Sequence, residues 1–418
     1  MDISIEDIRA PEYTPQQRDI LAYGENLDIK LDRDDILREA SEQTGLHDFG
    51  DQEFLTRLDL LVDEWSADAG LNDLGRLSLR NKLLQHACSR LLIQDTLKRH
   101  PEIHEIPIEA PIIVAGLPRS GTTHLLNLMA ADTRLRSLPL WESYEPVPRP
   151  GEGLLEGGVD PRYQRCADAW AGMQLATPYL AAMHPMNPDH IHEELELMGP
   201  DFASYNYEWL APSPRWRDHY YATDQRPHYE YMKTVLKLLL WQQGPERPRR
   251  WVLKCPQHLE QLKVLMQVFP DATVAVTHRD PVSVIQSTVT MLGYSQRMNR
   301  HQVEADALLE YWVDRIEHLL RACVAERDTL PAERSIDVPF HAFMDDELGT
   351  VAGIFECAGL AMDDAAQTRL QQYIDNHPRG KHGRVVYHLE KNFGVSRESL
   401  YPRFEFYFER FPVKRESA

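Results

Sequence analysis

The sequence predicts an α/β fold: a parallel β-sheet flanked by helices, with an N-terminal helical extension and a helical lid insertion. Three observations predict it. Short β-branched apolar runs recur, each followed by a stretch with helical apolar spacing, the pattern of strands buried under helices on both faces. The first of these runs, Pro111 to Gly116, enters a turn rich in Gly, Ser and Thr. More than 100 residues, 140–250, rich in Pro, Trp and Tyr, separate that unit from the next. An insertion of that length reads as a subdomain over the carboxyl ends of the strands, where open α/β sheets take ligands.

The elements follow in order. Residues 1–25 read as loosely ordered. Residues 33–100 read as helices, with Phe54, Leu58, Leu61 and Val62 on one face of the first clear one. Asn72 caps a long helix through Lys98, with Leu77, Leu84, Cys88, Leu91 and Leu92 inward and Pro101 as its stop. The strand candidates are Pro111–Gly116, Trp251–Lys254, Thr273–Arg279 and Ser335–Phe340. The predicted division is a helical extension over 1–105 and an α/β domain over 106–418, with 140–250 forming a lid or acceptor subdomain.

The chain has 418 residues, 45 Lys and Arg against 65 Asp and Glu, and a net charge of −20. Such a balance disfavours nucleic acid and anionic membrane surfaces. It does not disfavour a small anion, because a pocket is local. Five scattered cysteines form no Cys-x-x-Cys pair, which argues against a disulfide framework or a structural zinc. The acidic start of the sequence lacks a signal-like apolar core, and no apolar run reaches membrane-spanning length. These features predict a cytoplasmic protein without a transmembrane segment. Oligomeric state is not legible.

The chemistry concentrates in Gly116-Leu-Pro-Arg119-Ser120-Gly121-Thr122-Thr123-His124, between a predicted strand and a predicted helix. Backbone N–H groups, the helix start and the hydroxyls there can converge on one anion. The spacing of the glycines matches the loop of nucleotide triphosphatases, but Thr122 stands where that loop has Lys, and Arg119 supplies the cation instead. The bland reading is a tight, well-capped turn. A nucleotide-dependent kinase is the alternative enzyme, and a catalytically silent nucleotide-binding protein a third reading.

Pro-Arg119-Ser120-Gly121-Thr122-Thr123-His124-Leu resembles the 5′-phosphosulfate loop of sulfotransferases that use 3′-phosphoadenosine 5′-phosphosulfate (PAPS). His278-Arg279-Asp-Pro-Val-Ser-Val-Ile-Gln-Ser287 strengthens the likeness. The family holds the 3′-phosphate with an Arg at the end of this strand and a Ser eight positions later, and Arg279 and Ser287 have that spacing. A guanidinium suits a phosphate because its paired donors match two oxygens. A late basic segment, Arg379-Gly380-Lys381, reads equally as a solvated basic turn or as similar to one that closes over the cofactor in the family, and the stretch after it, Val385 to Ser396, reads as a helix. The resemblance spans about residues 108–410. It implies sulfuryl transfer from PAPS to a hydroxyl of a small-molecule or lipid acceptor, with no metal. On this resemblance Arg119 would stabilise the leaving phosphate and the transferring group, and residues 120–124 would bind the 5′ side.

Two residues compete for the base. His258 follows the second strand, and a neutral His suits proton abstraction near pH 7. Lys254, four positions before it, would help to hold the sulfate, as the Lys that accompanies a His after the corresponding strand does in cytosolic sulfotransferases. Glu142 lies 23 positions after Arg119, a separation similar to that of the catalytic Glu in tyrosylprotein and heparan-type members. His258 is preferred. The cluster His190-Ile-His192-Glu193-Glu194-Leu-Glu196 lacks the second His of a zinc-protease helix, so it reads as an acidic helix on the inserted lid, with an acceptor-facing role as the weaker reading. The aromatics of the insertion, from Trp170 to Tyr221, pack the subdomain or line an apolar acceptor pocket. The acidic surplus is expected on the outside, including segment 189–196, around a basic pocket.

Overall fold

Alternating apolar side chains on five parallel strands fix the architecture of the computed structural model, which describes residues 2–416 except Asn26, Arg379 and His382. The strands are β2 (Ile112–Gly116), β3 (Leu135–Arg136), β4 (Arg250–Cys255), β5 (Thr273–His278) and β6 (Ser335–Pro339), in spatial order β3-β4-β2-β5-β6. Ile113, Leu253 and Val274 point into one apolar cluster, and Ile112, Val252 and Ala275 into another. Each sheet face is thus covered, as a sheet buried on both sides requires. All four strands expected from the sequence are present.

The strand order brings the motifs together. β4, β2 and β5 are neighbours, so the segments leaving their carboxyl ends emerge side by side. The winding changes side at β2, the chain leaving it toward β3 at one edge and returning to β5 on the other side, the kind of position at which open α/β sheets form a ligand crevice.

The N-terminal region is built from α1 (Pro15–Gly24), α2 (Arg33–Thr44), α3 (Phe54–Ala67) and α4 (Asp73–Arg99). Asn72 caps α4 as expected, its side chain accepting from the Gly75 N–H at 2.8 Å. Residues 1–25 are not loose. β1 (Asp2–Ser4) pairs in parallel with β7 (Arg384–Val386), Ile5 and Ile8 are buried, and Asp7 forms a two-bonded pair with Arg297. The expectation failed because these contacts are made to residues hundreds of positions away. The expected helix over 385–396 is also corrected: Val385 and Val386 lie on β7, and a short helix begins only at Leu389.

The insertion and the N-terminal helices share one apolar cluster. Phe202, Tyr207, Trp216 and Tyr220 pack with Phe54, Leu58, Trp65 and Leu83. Asp201 ties them further, taking hydrogen bonds from Arg57 and Arg90 at 2.9 and 3.0 Å and facing His228 at 2.6 Å. Most aromatics of the insertion therefore serve packing. A second ionic node holds the insertion to the sheet: buried Arg315 pairs with Glu208 at 2.8 Å and with both oxygens of Glu260 at 2.6 Å.

Removing one member of a buried charge cluster leaves the others uncompensated. Arg315→Met is therefore expected to lower stability by about 3–5 kcal/mol, read by denaturant unfolding. An effect below about 1 kcal/mol would show that Glu208 and Glu260 do not need the guanidinium.

Candidate active site

The turn after β2 is built for close approach. A Cβ on Gly116 would lie 1.9 Å from Thr277 Oγ1 on the neighbouring strand, so only glycine fits. Arg119 and Gly121 both have positive φ, 61° and 83°. For arginine this backbone is uncommon, and such strain is held in place where a loop must present its groups in one direction. Ser120 is buried and fastens the turn, donating to the Leu117 carbonyl at 2.6 Å and meeting Thr277 Oγ1 at 3.0 Å. The turn runs into α5 (Thr122–Ala130), whose first residues have no side-chain cap. Its N–H groups and the positive end of its dipole are thus directed at whatever anion lies against the loop.

Arg279 and Ser287 meet Arg119. Arg119 Nε donates to Ser287 Oγ at 3.0 Å, and Arg279 Nη1 donates to the Arg119 carbonyl at 2.7 Å. Arg279 also stacks on Phe340 at 4.0 Å. Its outer fork holds a carboxylate: Glu416 takes two bonds from it, at 2.7 and 2.8 Å. A bidentate oxyanion thus already occupies this guanidinium. Ser287 is also in contact with Tyr387 OH at 2.9 Å.

A cavity of about 710 Å³ opens on the loop and is lined there by Arg119, Thr122 and Thr123. Elsewhere its wall is mainly apolar, with Leu79 on α4, Met173 on α7 (Pro161–Ala176, with α6 at Leu140–Tyr144 before it), Trp209, Leu210 and Met291. Of the N-terminal helices, α4 therefore supplies part of this wall.

The segment read as an acidic helix on the outer surface is largely neither: helix begins only at Leu195, and most of the acids are buried. His192, Glu193, Glu194 and Glu196 are each at most 9% exposed. The His190 carbonyl accepts from the Leu140 N–H at 2.9 Å, and the His192 N–H donates to the Leu138 carbonyl at 2.8 Å. Glu194 closes the end of β4, accepting from the Lys254 N–H at 2.8 Å and facing His258 Nε2 at 2.5 Å. Lys254 Nζ pairs with Glu193 and donates to Thr123 Oγ1 at 3.1 Å. His192, Glu193 and Glu196 line the cavity with His184. This corrects the outer-surface reading for 192–196, and with it part of the expected charge distribution; Asp189 is exposed as expected. The overlooked signal is in the sequence: the acids stand among Ile191, Leu195, Leu197 and Met198, an apolar frame that a solvated face lacks.

Neither base candidate lines the cavity. His258 is fully enclosed, with Nδ1 against Tyr229 OH at 2.9 Å and Nε2 on Glu194. Glu142 is paired with Arg136 beside the edge strand. His124 turns to Glu347 at 3.1 Å and packs near Phe343, away from the loop's open side. Lys381 is exposed and bonds the Asn376 carbonyl at 3.4 Å; Gly380 sits beside it, and Arg379 lies outside the described residues.

The sulfotransferase family profile matches residues 111–364, more than half of the chain. The chain belongs to the sulfotransferase family. It is a transferase of sulfuryl groups, and the kinase reading falls with that membership. This sulfotransferase is similar to omega-hydroxy-beta-dihydromenaquinone-9 sulfotransferase Stf3 of Mycobacterium bovis, 24% identical over 292 residues that cover 64% of this chain and 68% of the relative. Its fold is similar to that of sulfotransferase STF9 from Mycobacterium avium, with a TM-score of 0.81 and 25% identity over 94% of this chain and 100% of that one. Sulfotransferase STF1 from Mycobacterium tuberculosis H37Rv superposes with a TM-score of 0.77 and 28% identity, covering 89% and 98%.

The contact at Gly116 gives a direct check on the loop. Gly116→Ala is expected to cost about 1–3 kcal/mol in unfolding experiments, because the added methyl must displace Thr277 and with it the bond to Ser120. Unchanged stability would mean the turn tolerates a Cβ.

Proposed function

We propose that this sulfotransferase takes its sulfuryl group from PAPS and delivers it to the hydroxyl of an apolar, lipid-like acceptor. One observation carries the reading: the cavity ends on Arg119, Thr122 and Thr123, and the surface it exposes is more apolar than polar, with Leu79, Met173, Trp209, Leu210 and Met291 set among charged groups such as Lys82, Glu193 and Glu196. A charged donor suits the first end and an apolar chain the second. The name of the Stf3 relative, an enzyme of a hydroxylated menaquinone, supports this acceptor class.

The residues fit the donor. Ser120, Gly121, Thr122 and Thr123, with the start of α5, form a cradle for the 5′-phosphosulfate. Arg279 and Ser287 take the 3′-phosphate, and the Glu416 carboxylate on Arg279 supports this by occupying the same fork. When bound, PAPS supplies the activated sulfuryl group. Arg119 then offsets the negative charge that develops between the sulfuryl group and the leaving phosphate, the usual task of a preorganised cation at such a site. Lys254, tied to Thr123, adds a second cation on the same side. The unpaired cysteines, four of them buried, favour a reducing compartment and hence a cytoplasmic setting. Among the described residues no helix is long and apolar enough to cross a membrane.

The acceptor class is tested by supplying labelled PAPS with geranylgeraniol, a sugar and a tyrosyl peptide. Transfer to the isoprenoid alcohol alone is expected; transfer to the sugar or peptide alone would reject the apolar reading. The donor site is tested by titrating 3′-phosphoadenosine 5′-phosphate (PAP), the desulfated product. Arg279→Ala should weaken PAP about ten- to a hundredfold, the value of a charged hydrogen-bonded contact. Glu416→Gln should tighten it, because the competing carboxylate is removed. An unchanged affinity in Arg279→Ala would move the 3′-phosphate elsewhere.

A further inference from the structure

We propose that Glu193 is the general base of this sulfotransferase, the carboxylate that takes the acceptor's hydroxyl proton, and that Lys254 is its positioning residue. This rests on the PAPS-and-alcohol reading above. The argument begins with place. A base must reach a hydroxyl that stands between the loop and the cavity. Glu193 lines the cavity, and its partner Lys254 is bonded to Thr123 at the first turn of α5. One side chain thus separates the carboxylate from the loop that carries Arg119.

The other groups at this end are less suited. His258 and Glu142 do not line the cavity, and each is engaged elsewhere. His184 and His192 do line it, but burial holds both imidazoles well below their ordinary range, which leaves them weakly basic. Glu193 shifts the opposite way. Burial raises its carboxyl above the usual range; Lys254 opposes the shift, while Glu194 and Glu196 reinforce it. His184, His190 and His192 cluster near Lys254, with Arg119 next to His184. A carboxylate raised in this way is a stronger base than an exposed one, and the ammonium of Lys254 keeps it ionised and aimed.

The step balances. The acceptor O–H bond breaks and its proton bonds to a Glu193 oxygen. The electron pair left on the acceptor oxygen forms the new bond to sulfur. The old bond from sulfur to the phosphate oxygen breaks, and its pair leaves on the phosphate. Glu193 then returns the proton to solvent as the product departs.

The test uses the full chain, PAPS and geranylgeraniol, with PAP for binding. Glu193→Gln is expected to lower kcat by about 10²- to 10⁴-fold, the contribution of a positioned base, with the PAP affinity held within about threefold. The acid limb of the wild-type pH–rate profile should be missing from the variant. A readout independent of turnover is infrared titration of the PAP complex. The protonated carboxyl band should titrate above the ordinary Glu value of 4.5 and be absent in Glu193→Gln. Should Glu193→Gln not fold, Glu193→Asp keeps the charge and withdraws it by one methylene, and it is expected to lose turnover with PAP binding intact. Retained turnover in a folded Glu193→Gln, or an acid limb that disappears instead in His184→Ala or His192→Ala, overturns the assignment alone. A wild type that binds PAP but sulfates no alcohol overturns the function and the assignment together.

Discussion

Two adjacent buried carboxylates, Glu193 and Glu194, are the constraint on which the site depends. Side by side and out of water they are unfavourable unless each is paired. The pairing is divided between the two ends of one short stretch. Lys254 Nζ takes Glu193, while the Lys254 N–H and His258 take Glu194. The inserted segment is therefore fixed to the carboxyl end of β4, next to the loop after β2. Remove that fastening, and this wall of the cavity loses its tie to β4 and keeps the backbone bonds of His190 and His192 to residues 138–140.

From this point the rest of the molecule follows in layers. The strand order sets the segments after β4, β2 and β5 in a row. Glycine at 116 lets β2 and β5 approach closely, and the positive φ of Arg119 turns its side chain to Ser287 on the helix after β5. The N-terminal helices join the insertion through Asp201 and a shared aromatic cluster, and α4 thereby becomes a wall of the cavity. The acidic surplus of the chain is thus not merely an outer shell. Part of it is carried inside, neutralised by Lys254, Lys82 and the arginines. Lys82 does this from the cavity wall, 3.6 Å from Glu196 and over the Tyr144 ring.

What the sequence disclosed was local. Four strands, the cap at Asn72, and the spacing of Arg119, Arg279 and Ser287 are written in neighbouring residues, and the first two appear in the structure where they were expected. β1 and β7 were missed because three residues carry no period, and their pairing joins opposite ends of the chain. β3 has two residues and is just as silent. His258 was placed correctly after β4, but nothing nearby in sequence announces that Tyr229 and Glu194 occupy both of its nitrogens. The same limit applies to Glu193: acids look solvated until their distant partners are known, and only the apolar residues between them hint otherwise.

The most direct measurement is a crystal structure of the protein with PAP and geranylgeraniol. The account predicts the 3′-phosphate on Arg279 and Ser287 with Glu416 displaced, the 5′-phosphate against Ser120 to Thr123, and the alcohol oxygen within hydrogen-bond reach of Glu193. An alcohol bound outside the cavity, or a hydroxyl directed at His258 or Glu142 instead, would contradict it.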